Sequence, residues 1–202
     1  MSVTHSATPT AESEKAILAQ RVIILLDRLS RLTRELQFAD GLNPAQWEAL
    51  RYIAQANRYS RSPTALAEYL GATKGTVSQT LIALEGKGLI TRCKKTCDRR
   101  QVDLCLTEAG EALLAAKDPM QTLERAASEM AEELGPQMVK GLTRLLHDLQ
   151  NRHQVVEFGV CKDCSLFCVN DVARADGQCG ATGELITTVE KDKICVNYKT
   201  AG

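Results

Sequence analysis

The chain has 202 residues, enough for one full domain and a small appendage. Hydrophobic residues make up 44% and charged residues 25%, a composition that is typical of soluble globular proteins and excludes a disordered chain. The longest apolar run, Val22 to Leu26, is far shorter than the ~20 residues of a membrane span. The segment from Met1 to Lys15 is polar and lacks the apolar core of a secretory signal. We therefore expect a cytoplasmic protein with no membrane partner.

The 25 basic and 25 acidic residues balance over the whole chain but are unevenly distributed along it. Between Asn43 and Gly110 there are ten basic and six acidic residues, a net of about four positive charges. The stretch from Val156 to Gly202 has five basic and seven acidic residues and is mildly negative. The middle of the chain is therefore the part that we expect to attract anions.

After a disordered leader at residues 1–10, one long helix is predicted from Ala11 to Phe38. Its apolar residues recur at alternating spacings of four and three, a narrow seam that is typical of a helix packing against a partner helix. The seam consists of Leu18, Val22, Leu25, Leu29, Leu32 and Leu36. A helix of ~28 residues is long for a domain of this size. We expect it to contact a second subunit, and the alternative is a helix that serves only its own core.

Two shorter helices have clear start signals. Asn43 is predicted to cap the first, with Pro44 at a position where the missing N–H of proline does no harm. Ser62 and Pro63 repeat this signal for a second helix that ends at Gly71. The apolar residues that we expect to be buried are Trp47, Leu50, Ile53, Leu66 and Leu70.

A third helix and a β-hairpin complete this region. Thr73 is predicted to cap the helix, which Gly86 and Gly88 close. Its inward-facing residues are Val77, Leu81 and Leu84. Residues 89–97 and 101–107 are predicted to form two strands joined by a basic tip. Helix, helix, turn, helix and hairpin is the order of a winged helix-turn-helix.

The remainder is predicted to be two helices, at residues 107–133 and 136–153, split at Gly135 and Pro136. From residue 156 onward the helical period is lost, and short apolar stretches alternate with glycines and cysteines.

Three stretches of the chain resemble the MarR family of bacterial transcription regulators. They read LNPAQWEALRYIAQ, SPTALAEYLGATKGTVSQTLIALEGKGLI and DRRQVDLCLTEAG. The last contains the wing signature of that family, D-x-R followed six residues later by L-T, formed by Asp98, Arg100, Leu106 and Thr107. The resemblance covers about Ala11 to His153. It implies a non-enzymatic DNA-binding regulator with a winged helix-turn-helix core at residues 43–107.

A recognition helix reads base edges with the side chains of its exposed face. Gln79 is suited to pair with adenine, a contact that is worth ~1–3 kcal/mol of discrimination. The start of the helix suits phosphates, and Arg99 at the wing tip suits a narrow minor groove. The residues that we expect to bind DNA are Thr73, Lys74, Gly75, Thr76, Ser78, Gln79, Arg99 and Arg100. The alternative for Asp98 and Arg100 is that they shape the wing turn.

The resemblance also implies a homodimer on a pseudo-palindromic operator, with dimerisation helices at residues 11–38 and 107–153. The apolar positions Leu142, Leu145 and Leu149 fit that arrangement. Family members often bind small phenolic or aromatic ligands between the dimerisation and DNA-binding regions. The expected partners are therefore double-stranded DNA and a second copy of the chain, with a small aromatic ligand as a further candidate.

Five of the eight cysteines lie at residues 156–202. This segment is too short to fold without a cross-link or a bound metal. A C-x2-C pair, Cys161 and Cys164, is followed after fourteen residues by Cys179 and after fifteen more by Cys195. In a reducing cytoplasm, clustered cysteines favour metal or redox chemistry. Four thiolates suit tetrahedral zinc or an iron–sulfur cluster. We expect the fifth, Cys168, to be a bystander, and the alternative is that it substitutes for one of the four ligands.

The tail pattern CKDCSLF, GQCGATGE and ICVNY resembles the high-potential iron–sulfur protein module. In that module a C-x2-C pair and two solitary cysteines hold a [4Fe–4S] cluster under aromatic cover. The shared features include Phe167, Gly177 and Tyr198. The resemblance implies that Cys161, Cys164, Cys179 and Cys195 are the cluster ligands. Structural zinc and a metal-free thiol switch are the alternatives. The expected fold class is thus mainly α, with long dimerisation helices and a small, irregular, metal-stabilised module at residues 156–202.

The predicted wing contains three more cysteines. Cys93 and Cys97 are four residues apart on one strand, roughly 13 Å when extended, too far to share a metal. A hairpin centred on Arg99 would place Cys93 opposite Cys105. We expect ordinary strand residues, and the alternative is a redox-sensitive pair.

The principal hypothesis is a transcription regulator whose cluster senses oxygen, redox state, nitric oxide or iron supply. Only residues 154–160 separate the last helix from the cysteines. We expect the cluster to order the tail against the helix end near His153, which then sets the separation of the recognition helices. The alternatives are a regulator with a structural zinc tail and a small-molecule signal, and an electron-transfer protein with a helical docking domain. No nucleophile–base pair or phosphate loop stands out, so we expect no enzymatic activity.

Overall fold

The computed structural model describes residues 11–94, 102–169 and 177–200. Within these ranges the helices are α1 (Ala11–Leu36), α2 (Pro44–Gln55), α3 (Pro63–Leu70), α4 (Lys74–Gly86), α5 (Glu108–Lys117) and α6 (Gln121–His153). An antiparallel hairpin, β1 (Ile90–Lys94) and β2 (Val102–Leu106), lies between α4 and α5. The predicted leader at residues 1–10 and the hairpin tip at residues 95–101 fall outside the described ranges.

The winged helix-turn-helix core is built on three capped helices. The side chain of Asn43 accepts from the backbone N–H of Gln46 at 3.0 Å, and Ser62 and Thr73 cap α3 and α4 in the same way. These caps satisfy donors that a helix start leaves open, so the helices begin where the sequence predicts. The fully buried side chains that the helices and β2 contribute to the core include Trp47, Leu50, Leu66, Leu81, Leu84 and Leu104.

The register of the wing differs from the prediction. Cys93 pairs with Asp103, and Cys105 pairs with Thr91. The pairing of the two strands is thus shifted by two residues from the predicted one, and Cys93 does not lie opposite Cys105. Because side chains alternate between the two faces of a strand, a shift of the pairing by two residues keeps every side chain on its face. Leu104 therefore still points into the core.

The predicted break at Gly135 and Pro136 is wrong, because α6 runs through both residues. The chain breaks instead between α5 and α6, at Asp118 and Pro119. Proline disfavours helical backbone at the residue before it, and Asp118 is indeed non-helical with a ψ of 117°. Its side chain accepts from the N–H of Met120 at 3.0 Å, which stabilises the turn. Pro136 costs α6 one hydrogen bond on a helix that is largely exposed.

The long helices α1 and α6 carry apolar side chains that the rest of the chain leaves exposed. On α1 these include Leu18, Val22, Leu25, Leu29, Leu32 and Leu36. On α6 they include Leu134, Met138, Val139, Leu142, Leu146 and Leu149. Monomers rarely leave long rows of apolar side chains exposed to water. None of the helices in the described ranges combines the length and the apolar character that crossing a membrane requires.

The tail after α6 forms two small antiparallel sheets. One pairs β3 (Gly159–Val160) with β7 (Ile194–Cys195), and the other has the order β4 (Phe167–Val169), β5 (Gly177–Cys179), β6 (Leu185–Ile186). The tail lies against the loop between α2 and α3, where the N–H of Asn57 donates to the carbonyl of Ile194 at 2.9 Å. Phe158, Ile194 and Val196 pack on the winged core. The tail is therefore packed against the winged core and also has a small apolar cluster of its own.

Candidate nucleic-acid interface and cysteine site

Helix α4 presents a polar face to solvent. Val77, Leu81 and Leu84 are buried, as the helical period predicts. The residues predicted to bind DNA from this helix and its cap are all exposed: Thr73, Lys74, Gly75, Thr76, Ser78 and Gln79. This surface is polar and carries Lys74 at its start, so it suits contact with phosphates and base edges.

The first turn of α4 is held by its own hydroxyls. Thr73 Oγ1 accepts from the N–H of Thr76 at 3.1 Å, and the two threonine hydroxyls lie 2.9 Å apart. The side chain of Thr73 is therefore engaged as the helix cap. Gly75 is exposed and has no side chain, so DNA can approach the backbone of this turn closely.

The wing contributes part of the predicted interface. Arg99 and Arg100 fall outside the described residues. On the strands, the thiols of Cys93 and Cys105 are hydrogen-bonding neighbours across a diagonal of the hairpin. Burial, with the nearby Cys93, raises the pKa of the Cys105 thiol, whereas Cys93 itself is exposed.

Four cysteines of the tail lie around one small apolar core. Cys161 and Cys195 are buried in it, and Cys164 and Cys179 are packed against it. Cys168 is exposed on β4, away from this core, and pairs with Gln178. We refer to Cys161, Cys164, Cys179 and Cys195 as the cysteine site.

Hydrogen bonds at the cysteine site favour ionised sulfur at Cys195 and oppose it at Cys161. The hydrogen bond between the two thiols, together with burial, raises the pKa of Cys161, whereas the same hydrogen bond lowers the pKa of Cys195. The Asn57 amide donates toward both sulfurs, at 3.5 Å from Cys161 Sγ. The backbone N–H of Lys199 donates to Cys164 Sγ at 3.4 Å. Donors aimed at sulfur stabilise thiolates, which are the form that binds metals.

Aromatic rings cover the cysteine site. Tyr198 and Phe167 come from the tail, and Tyr59 comes from the loop between α2 and α3. Two glycines allow the tail rings to lie close. A Cβ on Gly159 would be 2.5 Å from the Tyr198 ring, and one on Gly177 would be 2.5 Å from the Phe167 ring. No larger residue fits at either position.

The cysteine site does not converge on a single point. Among the residues that the structure describes, no three His, Cys, Asp or Glu side chains are grouped so that they could hold one metal ion. A tetrahedral zinc ion requires its four sulfurs at about 2.3 Å, and so all near one another. The observed arrangement does not have this geometry.

Several residues that bind the tail were not singled out from the sequence. Asn57 and Ser60 are buried polar side chains, and Ser60 Oγ accepts from the N–H of Val196 at 2.8 Å. Arg58 forms ion pairs with Glu184 and Glu190 at 3.6 and 3.2 Å. The segment from Ala56 to Arg61 is polar and resembles an ordinary solvent-exposed loop, so no local signal could have identified them.

A cavity of about 620 Å³ lies between α2, α3 and the start of α6. Tyr52, Tyr69 and Leu70 supply its aromatic and apolar lining, and Arg51 and Asp118 supply charged groups. Half of the lining residues are charged or carry amides, and Tyr52 and Tyr69 are the aromatic side chains that a small aromatic ligand would contact.

Comparison with known proteins agrees with the fold. Residues 40–101 match the sequence model of the MarR family. Over 74 residues the chain is 32% identical to the HTH-type transcriptional repressor YetL of Bacillus subtilis (strain 168), an alignment that covers 37% of this chain and 44% of that protein. The chain thus spans less than half the length of this relative.

Two solved structures are similar over more of the chain. A mutant of S. aureus MepR is 25% identical with a TM-score of 0.51, and the match covers 65% of this chain and 98% of that one. Streptococcus pneumoniae FabT in complex with DNA is 26% identical with a TM-score of 0.50, covering 68% of this chain and 98% of the other. One of these two proteins is bound to DNA, and the Bacillus subtilis relative is a transcriptional repressor. The structure thus has a winged helix-turn-helix fold, and the part of the chain that forms it, residues 40–101, is similar to the MarR family.

Proposed function

We propose that this protein is a DNA-binding transcription regulator that acts as a homodimer on a pseudo-palindromic operator. We further propose that a [4Fe–4S] cluster at Cys161, Cys164, Cys179 and Cys195 modulates its DNA affinity. The observation that carries the first part is the exposed polar face of α4 above buried Val77, Leu81 and Leu84. The DNA complex of the similar S. pneumoniae protein supports the same conclusion.

The exposed apolar faces of α1 and α6 support the homodimer. Leu25 and Leu29 on α1 and Leu142 and Leu149 on α6 are each about half exposed in a single chain. Packing these faces against a second copy would remove them from water, which is the main driving force for association. A dimer also supplies the second recognition helix that a two-fold operator requires.

The chemistry of the cysteine site supports the cluster. Four cysteines around an apolar core, with aromatic cover and N–H donors near sulfur, supply the ligand type and the surroundings of an iron–sulfur cluster. In a cluster each cysteine would bind a different iron, whereas zinc would bring all four sulfurs to one ion. When bound, the cluster would supply a redox-active group that oxygen, nitric oxide or iron supply can alter.

The test of the cluster is the content of iron, acid-labile sulfide and zinc in protein purified without oxygen. We expect about four iron and four sulfide per chain and the visible absorption of an iron–sulfur protein. About one zinc per chain in a colourless sample would refute the cluster.

The test of modulation compares the DNA affinity of the full chain with and without the cluster. We use the full chain because Phe158, Ile194 and Val196 pack on the winged core, so deletion of the tail would expose that core. We expect the dissociation constants of the two forms to differ at least ten-fold. Equal affinities would refute the sensing function and leave the DNA-binding function intact.

Two substitutions test the interface residues. Arg99→Ala should weaken binding to all DNA sequences and reduce the salt dependence by about one phosphate contact. Gln79→Ala should instead relax the base preference at one position of each half-site, because its amide is exposed on the face of α4. If selection from randomised operator sites gave the same sequence preference as the wild type, Gln79 would not be a residue that reads a base.

A second candidate function is a regulator that responds to a small aromatic ligand, with structural zinc in the tail. The cavity lined by Tyr52 and Tyr69 favours it. Release of DNA by phenolic compounds, together with zinc rather than iron in the purified protein, would support this alternative.

A further inference from the structure

The wing holds a pair of thiols that the proposed function does not use. Cys93 on β1 pairs with Asp103 on β2, two residues before Cys105. The two cysteines therefore lie on the same face of the hairpin, one diagonal step apart. Their thiols are within hydrogen-bonding contact across this diagonal. Two sulfurs that are already in contact need only a short approach of the strands to form a disulfide.

The two thiols differ in how well solvent reaches them. Cys93 is exposed at the end of β1, whereas Cys105 is half-buried on β2. Burial and the neighbouring thiol of Cys93 raise the pKa of the Cys105 thiol. An oxidant dissolved in water therefore reaches the sulfur of Cys93 first, and Cys105 keeps its proton until it reacts with the oxidised sulfur of Cys93.

The strands that carry the two thiols also differ in how firmly they are held. On β2, Leu104 is fully buried, and its N–H donates to the carbonyl of Arg61 at 2.7 Å. The position next to Cys105 is thus fixed to the winged core. A bond between the sulfurs would therefore displace the exposed end of β1 at Cys93. Because β1 leads directly into the segment that carries Arg99, this displacement reaches the predicted DNA contact of the wing.

We propose that Cys93 and Cys105 are an oxidisable thiol pair, which a hydroperoxide converts to a disulfide that weakens the contact of the wing with DNA. The thiolate of Cys93 attacks one oxygen of hydrogen peroxide, so that an S–O bond forms and the O–O bond breaks. The hydroxide that leaves takes up the proton lost by Cys93, and a sulfenic acid remains.

The second step closes the disulfide. The sulfur of Cys105 attacks the sulfur of the sulfenic acid, so that the S–S bond forms and the S–O bond breaks. The hydroxide that leaves takes the Cys105 proton, which gives a second water molecule. Two thiols are oxidised and one peroxide is reduced. The effect on DNA affinity rests on the proposed DNA-binding function, whereas formation of the disulfide does not.

The first test treats the reduced full-length protein with hydrogen peroxide and maps disulfides by mass spectrometry after non-reducing trypsin digestion. Cleavage after lysine and arginine separates the three wing cysteines into different peptides, which are residues 93–94, 96–99 and 101–117. We expect residues 93–94 to be joined to residues 101–117. If this pair of peptides is not joined, or if Cys105 is joined to Cys97 instead, the proposal is overturned.

The second test measures DNA dissociation constants before peroxide, after peroxide, and after dithiothreitol, which reduces a disulfide but does not rebuild a cluster. Cys105→Ser removes the second thiol and keeps a side chain of similar size. The matched control is Cys168→Ser, the same change at an exposed cysteine on β4. Peroxide should weaken DNA binding at least five-fold in the wild type and in Cys168→Ser, and dithiothreitol should restore it.

In Cys105→Ser the part of the change that dithiothreitol reverses should be less than two-fold. This variant keeps all five tail cysteines, so a reversible loss equal to that of the wild type would assign the effect to the tail and overturn the proposal. If Cys105→Ser folds poorly, Cys93→Ser makes the same test at an exposed position.

The two tests separate this inference from the proposed function. If the reduced wild-type chain does not bind DNA, the proposed function fails, and a mapped disulfide between Cys93 and Cys105 still establishes the thiol pair. If the disulfide forms and the dissociation constant of the wild type does not change, the effect on the wing is overturned.

Discussion

We expect Asp118→Asn to destabilise the fold by about 2–3 kcal/mol. Arg51 on α2 donates to Asp118 at 2.9 Å and also to the side-chain oxygen of Gln37, so it joins the end of α1 to the junction of α5 and α6. The side chains of Arg51 and Asp118 are only 18% and 15% exposed. Asparagine keeps the size of the side chain and an oxygen for the N–H of Met120 but removes the counter-charge of Arg51.

The magnitude follows from the burial of the pair. Hydrogen bonds to charged groups contribute roughly 1.5–3 kcal/mol. Removing one partner of a fully buried ion pair costs about 3–5 kcal/mol, because the other charge is left uncompensated. Because Arg51 keeps some exposure and its bond to Gln37, we expect about 2–3 kcal/mol, in the upper part of the first range and below the second.

The matched control is Asp40→Asn, which breaks the ion pair of Lys117 with Asp40. That pair is shorter, at 2.6 Å, but its side chains are 56% and 30% exposed. Exposed pairs contribute about 0–1 kcal/mol, and asparagine tolerates the positive φ of Asp40. Urea unfolding of both variants at one fixed protein concentration measures the difference. An equal loss in the two variants would show that burial does not decide the strength of these pairs and would refute the reasoning.

Two further predictions concern the wing. Gly110→Ala should destabilise the fold by ~1–3 kcal/mol, since the new Cβ would lie 2.1 Å from the carbonyl oxygen of Leu89. The control is Gly86→Ala, whose Cβ would meet nothing within 4 Å. The control should be neutral or stabilising in the same unfolding assay. Iodoacetamide at pH 7 should alkylate exposed Cys93 faster than Cys105, whose pKa is raised by burial, and the gap should narrow as the pH rises and more of the Cys105 thiol ionises. Equal rates at pH 7, measured by peptide mass spectrometry, would contradict this.

Features that depend on local chemistry were readable from the sequence. Asn43, Ser62 and Thr73 each precede a helix and cap it, because the cap is a bond between residues three apart. The burial of Val77 and Leu81 follows from the helical period alone.

The two errors have physical causes that local patterns do not resolve. Strand periodicity fixes which face a side chain occupies but not a register shift of two, so Cys105 was placed opposite the wrong residue. At Pro136 the expected helix break did not occur, while Pro119, which does end a helix, was overlooked. Both prolines disfavour helical backbone at the residue before them. Pro119 differs from Pro136 because the side chain of Asp118, the residue before it, accepts from the N–H of Met120 and stabilises a turn.

The contact between tail and core was not predictable, because it joins residues far apart in the sequence. Asn57 and Cys161 are 104 residues apart, and Ser60 and Val196 are 136 apart. The four cysteines were readable as a set from their spacing. The loop between α2 and α3, against which the cysteines lie, contributes the buried polar side chains Asn57 and Ser60. Its composition resembles that of a solvent-exposed turn, so the sequence does not indicate their burial.

The tail also contacts a part of the molecule that the sequence did not indicate. The sequence predicts that the tail acts through the end of α6 near His153, and Phe158 of the tail lines one cleft with Leu146 and Leu149 of α6. The tail is bonded in addition to the loop before α3, because the N–H of Asn57 donates to the carbonyl of Ile194 and the hydroxyl oxygen of Ser60 accepts from the N–H of Val196. The tail is therefore joined to the dimerisation helix by the chain itself and to the winged core by hydrogen bonds, and only the first of these connections follows from the order of residues in the sequence.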